Sequence, residues 1–365
     1  MCSSLNEPGR RRTIDDAHVT LRLPITIVGG GLAGLALGIA LRQRDVPVTI
    51  CEAGRYPRHR VCGEFICGSG LEVLRELGLH QKFIAAGAVE ARSAAFHSAR
   101  RSYPSKTLPC PALCLSRHVM DELLANVYRH LGGQLRERER VTTTDPRPGL
   151  VRATGRRIDV SQSKVKWIGL KAHARHALLV ADLEMHFVPD GYVGLCRLGG
   201  GEVNVCGLFA VPGPLPQLAE RWPEFLRGPA GSVLRSQLGK AEFVADSFCA
   251  VSGLDLRPAS VMETRECCVG DALTMIPPVT GNGMSMAFES AAWAAESLAA
   301  YSRGDMAWNE ARFAIGRRCA AGFGRRLHWA SLVQQMLMDR RGREVVLALA
   351  NRFDWLWRAI FNRTR

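Results

Sequence analysis

Apolar and polar positions change their period several times along the chain, and each change marks an element. Residues Leu21 to Val28 are mostly apolar and β-rich, the pattern of a strand buried on both faces of a parallel sheet. Glycines follow at once. A helix over Leu32 to Arg44 then carries Ala33, Gly34, Ala36 and Ala40 on its inner face, and a second strand, Val46 to Cys51, completes a βαβ unit. Beyond it lie a loop from Ala53 to Gly70, a short helix from Leu71 to Leu77, and a stretch from Val89 to Pro111 with no helical period. Arg117 to His130 places Val119, Leu123, Leu124 and Val127 at helical spacing. From Lys164 to Ala210 the runs alternate, with turns at Pro189-Asp190-Gly191 and Gly199-Gly200-Gly201, which predicts an antiparallel sheet. A strand resumes at Cys267 to Val269, an alanine-rich helix spans Met284 to Ala300, and further helices fill the C-terminus.

A length of 365 residues suits about two domains. Residues 1–20, polar and carrying a Pro-Gly pair, read as a flexible extension. The net charge of +14 comes from 42 Arg and only 6 Lys spread along the whole chain, a compositional bias and not a partner site. No base-stacking aromatic motif, zinc finger or helix-turn-helix spacing accompanies it, so no nucleic-acid partner is expected. Several of the twelve cysteines, such as Cys51, Cys267 and Cys268, sit inside apolar runs and read as small buried hydrophobes. The pairs Cys62 with Cys67 and Cys110 with Cys114 lack a second pair or nearby histidines, so no metal site is expected. Arg10, Arg11 and Arg12 have no apolar stretch behind them, which argues against a signal peptide and for the cytoplasm.

Gly29-Gly30-Gly31-Leu32-Ala33-Gly34 supplies GxGxxG spacing directly between a strand and a helix. Only glycine permits so tight a turn and so close a backbone approach to a pyrophosphate, which then meets the positive end of the helix. The second strand ends at Glu52 and Ala53, where a carboxylate is placed to accept from a ribose 2′-hydroxyl. A second cluster lies some 220 residues later: Val269-Gly270-Asp271-Ala272, Pro277-Pro278, then Gly281-Asn282-Gly283 and a helix. Two contacts so far apart are what FAD needs. Asp271 suits the ribityl hydroxyls, and the helix starting at Gly283 points its positive end at the flavin ring.

At these residues the chain resembles the FAD oxidoreductases that include aromatic hydroxylases of the p-hydroxybenzoate hydroxylase type and geranylgeranyl reductases, over roughly residues 22 to 365. The resemblance implies that Arg117, in Leu115-Ser116-Arg117, contacts FAD, and that Ala153-Thr154-Gly155 is the strand-end ATG motif. Arg60-Val61-Cys62-Gly63-Glu64-Phe65 resembles the Cys-Gly loop of the reductases, which implies that Arg60, Cys62 and Gly63 border the flavin; a loop with an incidental cysteine reads the same way. The strand Trp167 to His176 puts Trp167, Gly169, Lys171, His173 and Arg175 on one face. In the related enzymes this sheet roofs the flavin pocket, so Lys171 or His173 would orient substrate or move a proton; a solvent-facing charged row gives the same pattern. Two departures stand out, and a motif of another flavoprotein group is missing as well. Leu135 to Val151 is too short for the usual small β-meander, Glu184-Met185-His186-Phe187-Val188-Pro189 replaces the reductases' aromatic run, and the tryptophan motif of flavin halogenases is absent.

The expected fold is therefore α/β: a discontinuous Rossmann-like FAD-binding domain (21–88, 112–160 and 255–303), an antiparallel substrate domain (89–111 and 161–254) and a helical C-terminal cap (304–365). The expected chemistry is NAD(P)H-driven oxygenation of a hydrophobic aromatic or polyketide-like small molecule. NAD(P)H would dock transiently, since no second nucleotide-binding unit is visible. Prenyl double-bond reduction and a non-catalytic flavin-binding role are the alternatives. Val346, Leu349, Phe353, Leu356 and Ile360 fall on one helical face that would pack on the body, cover a lipophilic tunnel or touch a membrane.

Overall fold

The structure, a computed structural model, describes residues 22–365 except 99–100, 143–144, 157–164, 213–217, 255 and 257–264. Its first unit is β1 (Ile25–Val28), α1 (Leu32–Arg42) and β2 (Val48–Glu52). The strands begin later than the apolar runs suggest because Pro24 and Pro47, which have no N–H to give a ladder, precede them. Next come β3 (Phe65–Cys67), α2 (Ser69–Glu76), α3 (His80–Ala85), β4 (Val89–His97), β5 (Lys106–Cys114), α4 (Arg117–His130), β6 (Gln134–Glu137) and β7 (Leu150–Arg152). The second half opens on β8 (Val165–Arg175), β9 (Leu183–Val188), β10 (Gly191–Arg197) and β11 (Glu202–Pro212). It continues through α5 (Leu218–Arg227), α6 (Val233–Gln237), β12 (Glu242–Ser252) and β13 (Cys267–Cys268). Four helices close the chain: α7 (Gly283–Arg303), α8 (Trp308–Met338), α9 (Arg340–Arg352) and α10 (Asp354–Arg363).

The first sheet, in the order β13-β7-β1-β2-β6, is parallel throughout. Both faces are covered, so β1 reads Ile-Thr-Ile-Val, and α1 is buried along ten of its eleven residues. Among the described residues between β6 and β7 there is no meander strand; the loop instead ties back through the N–H of Glu139 to the carbonyl of Glu52.

The second sheet, β12-β8-β11-β10-β9-β4-β5-β3, is antiparallel except where β4 meets β9 in parallel register. Phe65–Cys67, grouped from the sequence with the first domain, pairs instead with β5 in this sheet. One face packs Ile168, Leu170, Ala172, Val193 and Val205 against Leu226 of α5 and Leu234 of α6. The other turns Lys171 and His173 toward the Cys62–Glu64 loop.

The C-terminal helix expected to carry one apolar face breaks in two at Phe353, which takes an extended conformation (φ −119°, ψ 105°). The break shifts the inward face to Leu347, Trp357 and Phe361, and leaves Leu349 and Phe353 exposed. Among the described residues no helix is long and apolar enough to cross a membrane.

Candidate functional site

The carboxyl end of β1 runs into the glycine turn. Gly29 holds φ +108°, and a Cβ on it would lie 2.3 Å from the carbonyl oxygen of Ala153. A Cβ on Gly34 would lie 2.0 Å from the Gly29 oxygen, so glycine alone lets α1 lie against the turn. Gly31 is different: a side chain there would meet nothing within 4 Å. It is also the N-cap of α1 and makes no side-chain capping bond. The first N–H groups of α1 thus open onto free space at the positive end of the helix, the setting for a diphosphate.

Glu52 stands beside this turn because β2 runs parallel to β1. Its Oε2 accepts the Gly30 N–H at 2.7 Å, and its Oε1 accepts the Gly54 N–H at 2.7 Å and Arg58 Nη1 at 2.8 Å. Burial pushes its carboxyl up, but the Arg58 bond and the two backbone bonds outweigh that and hold it down at about 2. A carboxylate has about four acceptor directions, so one is left for a ribose hydroxyl. Arg58, Arg60 and Arg117 line the cavity nearby. Arg117 forks onto Asp121 at 2.6 and 2.8 Å, whereas Arg58 Nε and Nη2 and Arg60 Nε are buried without a partner. Burial and the charges of Arg58 and Arg117 push the Arg60 guanidinium down. A dinucleotide diphosphate supplies what these groups lack, acceptors and negative charge; the residues fit FAD.

The second motif meets the first. Gly270 (φ +63°) follows β13 and donates to Ser290 Oγ at 2.9 Å, and a Cβ on it would lie 2.7 Å from Ala33 Cβ. Asp271 faces the cavity, its carboxyl raised by burial against the charges of Arg156 and Arg117. Gly281 (φ +66°) leaves room for the Phe65 ring, which a Cβ would approach to 2.2 Å. Asn282 is buried and donates through Nδ2 to the Thr364 carbonyl at 3.0 Å, while Gly283 opens α7 on the cavity wall.

The cavity holds about 800 Å³ and runs from the glycine turn to the face of the antiparallel sheet that carries Tyr192, Gly194 and Cys206. Of the residues singled out in the sequence, Gly29, Gly31, Leu32, Ala33, Glu52, Ala53, Arg60, Cys62, Gly63, Arg117, Asp271, Gly281 and Gly283 line it. Gly30, Gly34, Gly270, Pro277 and Asn282 shape the wall from behind; Pro278, not Pro277, reaches the surface. Lys171 and His173 are neither on the wall nor in solvent, being 0% and 3% exposed. They hold Glu64, a residue that no sequence pattern singles out. Lys171 Nζ lies 3.2 Å from Glu64 Oε1, His173 Nε2 lies 2.8 Å from Oε2, and the Arg117 N–H donates to Oε1 at 2.8 Å.

Glu64 is fully buried and borders the cavity at φ +62°, a left-handed conformation that costs a side-chain-bearing residue about 1–3 kcal/mol. Burial pushes its carboxyl up, but the His173 bond and the Lys171 charge win and hold it below the usual range. Arg58, Arg156 and the C-terminal Trp357 and Phe361 are further lining residues without a sequence signal of their own.

Residues 22–164 match the family described as FAD binding domain. No curated protein matches the chain. Solved structures share its fold. A triple mutant of the flavin-dependent brominase Bmp2 is 18% identical, with 92% of this chain and 93% of that one covered and a TM-score of 0.70. The halogenase PltM is 14% identical, with 93% and 83% covered and a TM-score of 0.71. Pseudomonas aeruginosa PqsL in complex with 2-aminobenzoylacetate is 14% identical, with 88% and 98% covered and a TM-score of 0.66.

Proposed function

From a chain that carries an FAD binding domain over residues 22–164, we propose an FAD-dependent monooxygenase that takes electrons from NAD(P)H and acts on a hydrophobic aromatic or polyketide-like small molecule. The observation that carries this reading is that the cavity of about 800 Å³, which includes the dinucleotide cradle, extends beyond it to a wall of Phe96, Met185, Tyr192, Leu208 and Trp357. Such a wall binds a flat apolar molecule by desolvation and leaves orientation to a few polar groups. PqsL, which shares the fold, is seen with an aromatic ligand, 2-aminobenzoylacetate. When bound, the flavin supplies the redox chemistry, and the protein supplies binding, orientation and exclusion of water.

Glu64 is the polar group best placed for that work. Lys171 and His173 act through it, keeping it ionised and pinning the Cys62–Glu64 backbone where it borders the cavity. Lys171 also donates to His59 Nδ1 at 2.9 Å. Burial and the Lys171 charge push His59 down to about 4, so it is neutral at pH 7. His59 packs at 4.6 Å on His118, and both are partly exposed. Cys62 and Gly63 on the same wall favour the second reading, a prenyl reductase.

Anaerobic addition of NADPH to the flavin-loaded protein is the first test. Bleaching of the flavin supports an NAD(P)H-driven enzyme, and substrate turnover that then requires oxygen selects the monooxygenase. Turnover without oxygen selects the reductase, and a flavin that no nicotinamide donor reduces would leave a non-catalytic binding protein.

A further inference from the structure

The sheet face opposite Lys171 and His173 holds a second group of ionisable side chains, of which Glu184 also borders the cavity. His97, at the end of β4, pairs with His186 of β9 in parallel register, and Glu184 lies two residues before His186 on the same face. Exposure is 1% for His97, 2% for His186 and 4% for Glu184. Strand alternation sets them with Val188 and Val193, which pack toward α5 and α6. Met185, Phe187 and Tyr192, on the opposite face, pack with Leu337 of α8.

The imidazoles stack with ring centroids 4.3 Å apart and 11° from parallel. Both turn Nε2 toward one carboxylate oxygen: Glu184 Oε2 lies 2.9 Å from His186 and 3.4 Å from His97. The other oxygen, Oε1, is fixed by the N–H groups of Val180 and Ala181. Both ring nitrogens of His97 and Nδ1 of His186 are buried without a hydrogen-bond partner. Among the described residues no lysine or arginine pairs with Glu184.

That last fact separates this group from its counterpart on the flavin face. His59, Glu64 and His173 have the same composition, but the Lys171 ammonium already supplies their cation, 3.2 Å from Glu64. Around Glu184, among the described residues, no lysine or arginine takes that place and only the two imidazoles face the carboxylate, and buried charge without a permanent counter-charge is costly.

We propose that His97, Glu184 and His186 form a zinc site that clamps β4 to β9. Two imidazoles and a carboxylate are a regular zinc donor set at bond lengths of about 2.0–2.2 Å, with water completing the tetrahedron. A carboxylate whose second oxygen is held by backbone N–H groups is oriented as metal-ligating carboxylates are. Donors on one tetrahedral zinc sit about 3.3 Å apart. Here they lie within 4.8 Å of one another, so binding draws them together and turns the rings out of their stack. The clamp falls at the single parallel junction in this sheet, where β3–β5 meet β8–β12.

The test uses the full-length, flavin-loaded protein, stripped with a chelator and titrated with Zn²⁺, the metal read by elemental mass spectrometry. We expect one zinc per chain, and affinity lower by about 100-fold or more in His97→Gln and His186→Gln with the flavin spectrum unchanged. The twelve cysteines are rival ligands, so X-ray absorption at the zinc edge of the wild type decides between them. Nitrogen and oxygen neighbours support the site; sulfur neighbours overturn it. Failure of the wild type to take up zinc, or variants that bind as it does, overturns it equally. Should the variants not fold, zinc uptake by His59→Gln, which breaks the flavin-face group of the same composition, decides: retained uptake with nitrogen and oxygen neighbours supports the site, and lost uptake overturns it.

Discussion

Two alanine substitutions three residues apart separate folding from cofactor binding. In Gly34→Ala the new methyl meets the Gly29 oxygen at 2.0 Å and Ala153 Cβ at 3.2 Å, so α1 must retreat by about 1 Å from a turn made of backbone. Overpacking of this kind costs about 1–3 kcal/mol, and the upper end applies because neither neighbour is a flexible side chain. At roughly 2–4 °C per kcal/mol for a large domain, Tm falls by about 5–10 °C. Gly31→Ala meets nothing within 4 Å, and its φ of −82° and ψ of −170° suit alanine. The lost unfolded-state entropy, about 0.4–1 kcal/mol in favour, offsets alanine's poorer capping, so the apo-protein should melt close to wild type. Its methyl occupies the space over the α1 N–H groups instead. Losing a charge-assisted bond to a phosphate costs about 1.5–3 kcal/mol, a rise in Kd of roughly 10- to 100-fold. Calorimetry of the apo-proteins and FAD fluorescence titration read the two effects separately. Wild-type affinity in Gly31→Ala would mean that the diphosphate does not sit at this helix end. A Gly34→Ala protein that melts with wild type would refute the packing account.

Three further outcomes follow from the buried charges and the cap. Lys171→Met removes one partner of buried Glu64 and should cost about 3 kcal/mol at pH 7 by urea unfolding. Glu64 is held below its unfolded 4.5, so its pairing stabilises above that pH and is lost as pH falls through the lowered value; a deficit that does not shrink on acidification contradicts this. Glu52, held at about 2 against 4.5 unfolded, contributes on the order of 3 kcal/mol above pH 4.5, lost as pH falls toward 2. Glu52→Gln should therefore flatten the acid limb of the stability curve, and an unchanged limb by circular dichroism would rule this out. Trp357→Ala removes a cavity wall that also donates to the Thr107 carbonyl at 3.1 Å; we expect a loss of about 3–5 kcal/mol and freer iodide quenching of bound flavin. Unaltered quenching would show that α10 does not shield the cofactor.

The glycine turn between β1 and α1 was readable because its geometry is local. Gly29, Gly31 and Gly34 lie within one turn, and the strand and helix around them have their own periodicities. Asp271 and Gly283 were reachable for the same reason. Glu64 was not: its partners Lys171 and His173 are more than a hundred residues away, and a buried ion network prints the same polar alternation on a strand as a wet face. Arg58 belongs to no motif, and only the fold sets it against Glu52. The break at Phe353 carries neither glycine nor proline, so helical periodicity ran straight through it and picked the wrong inward face. β3 is three residues long, too short to alternate recognisably. The pair His97 and His186, 89 positions apart, becomes neighbours only through the register of β4 on β9.

The position of β13 sets an order of assembly. Cys267 and Cys268 complete the edge of the parallel sheet beside β7, 115 residues after it in the chain, and α7, which follows β13, covers α1. As the chain leaves the ribosome, α1 has no partner for its α7-facing side until the whole antiparallel sheet has been made. The N-terminal βαβ unit must wait with apolar surface uncovered, at hazard of aggregation, while strands of high sequence separation find one another. A dinucleotide bound as proposed, at both the glycine turn and Asp271, would be captured only at the end of biosynthesis, closing two distant segments into one domain.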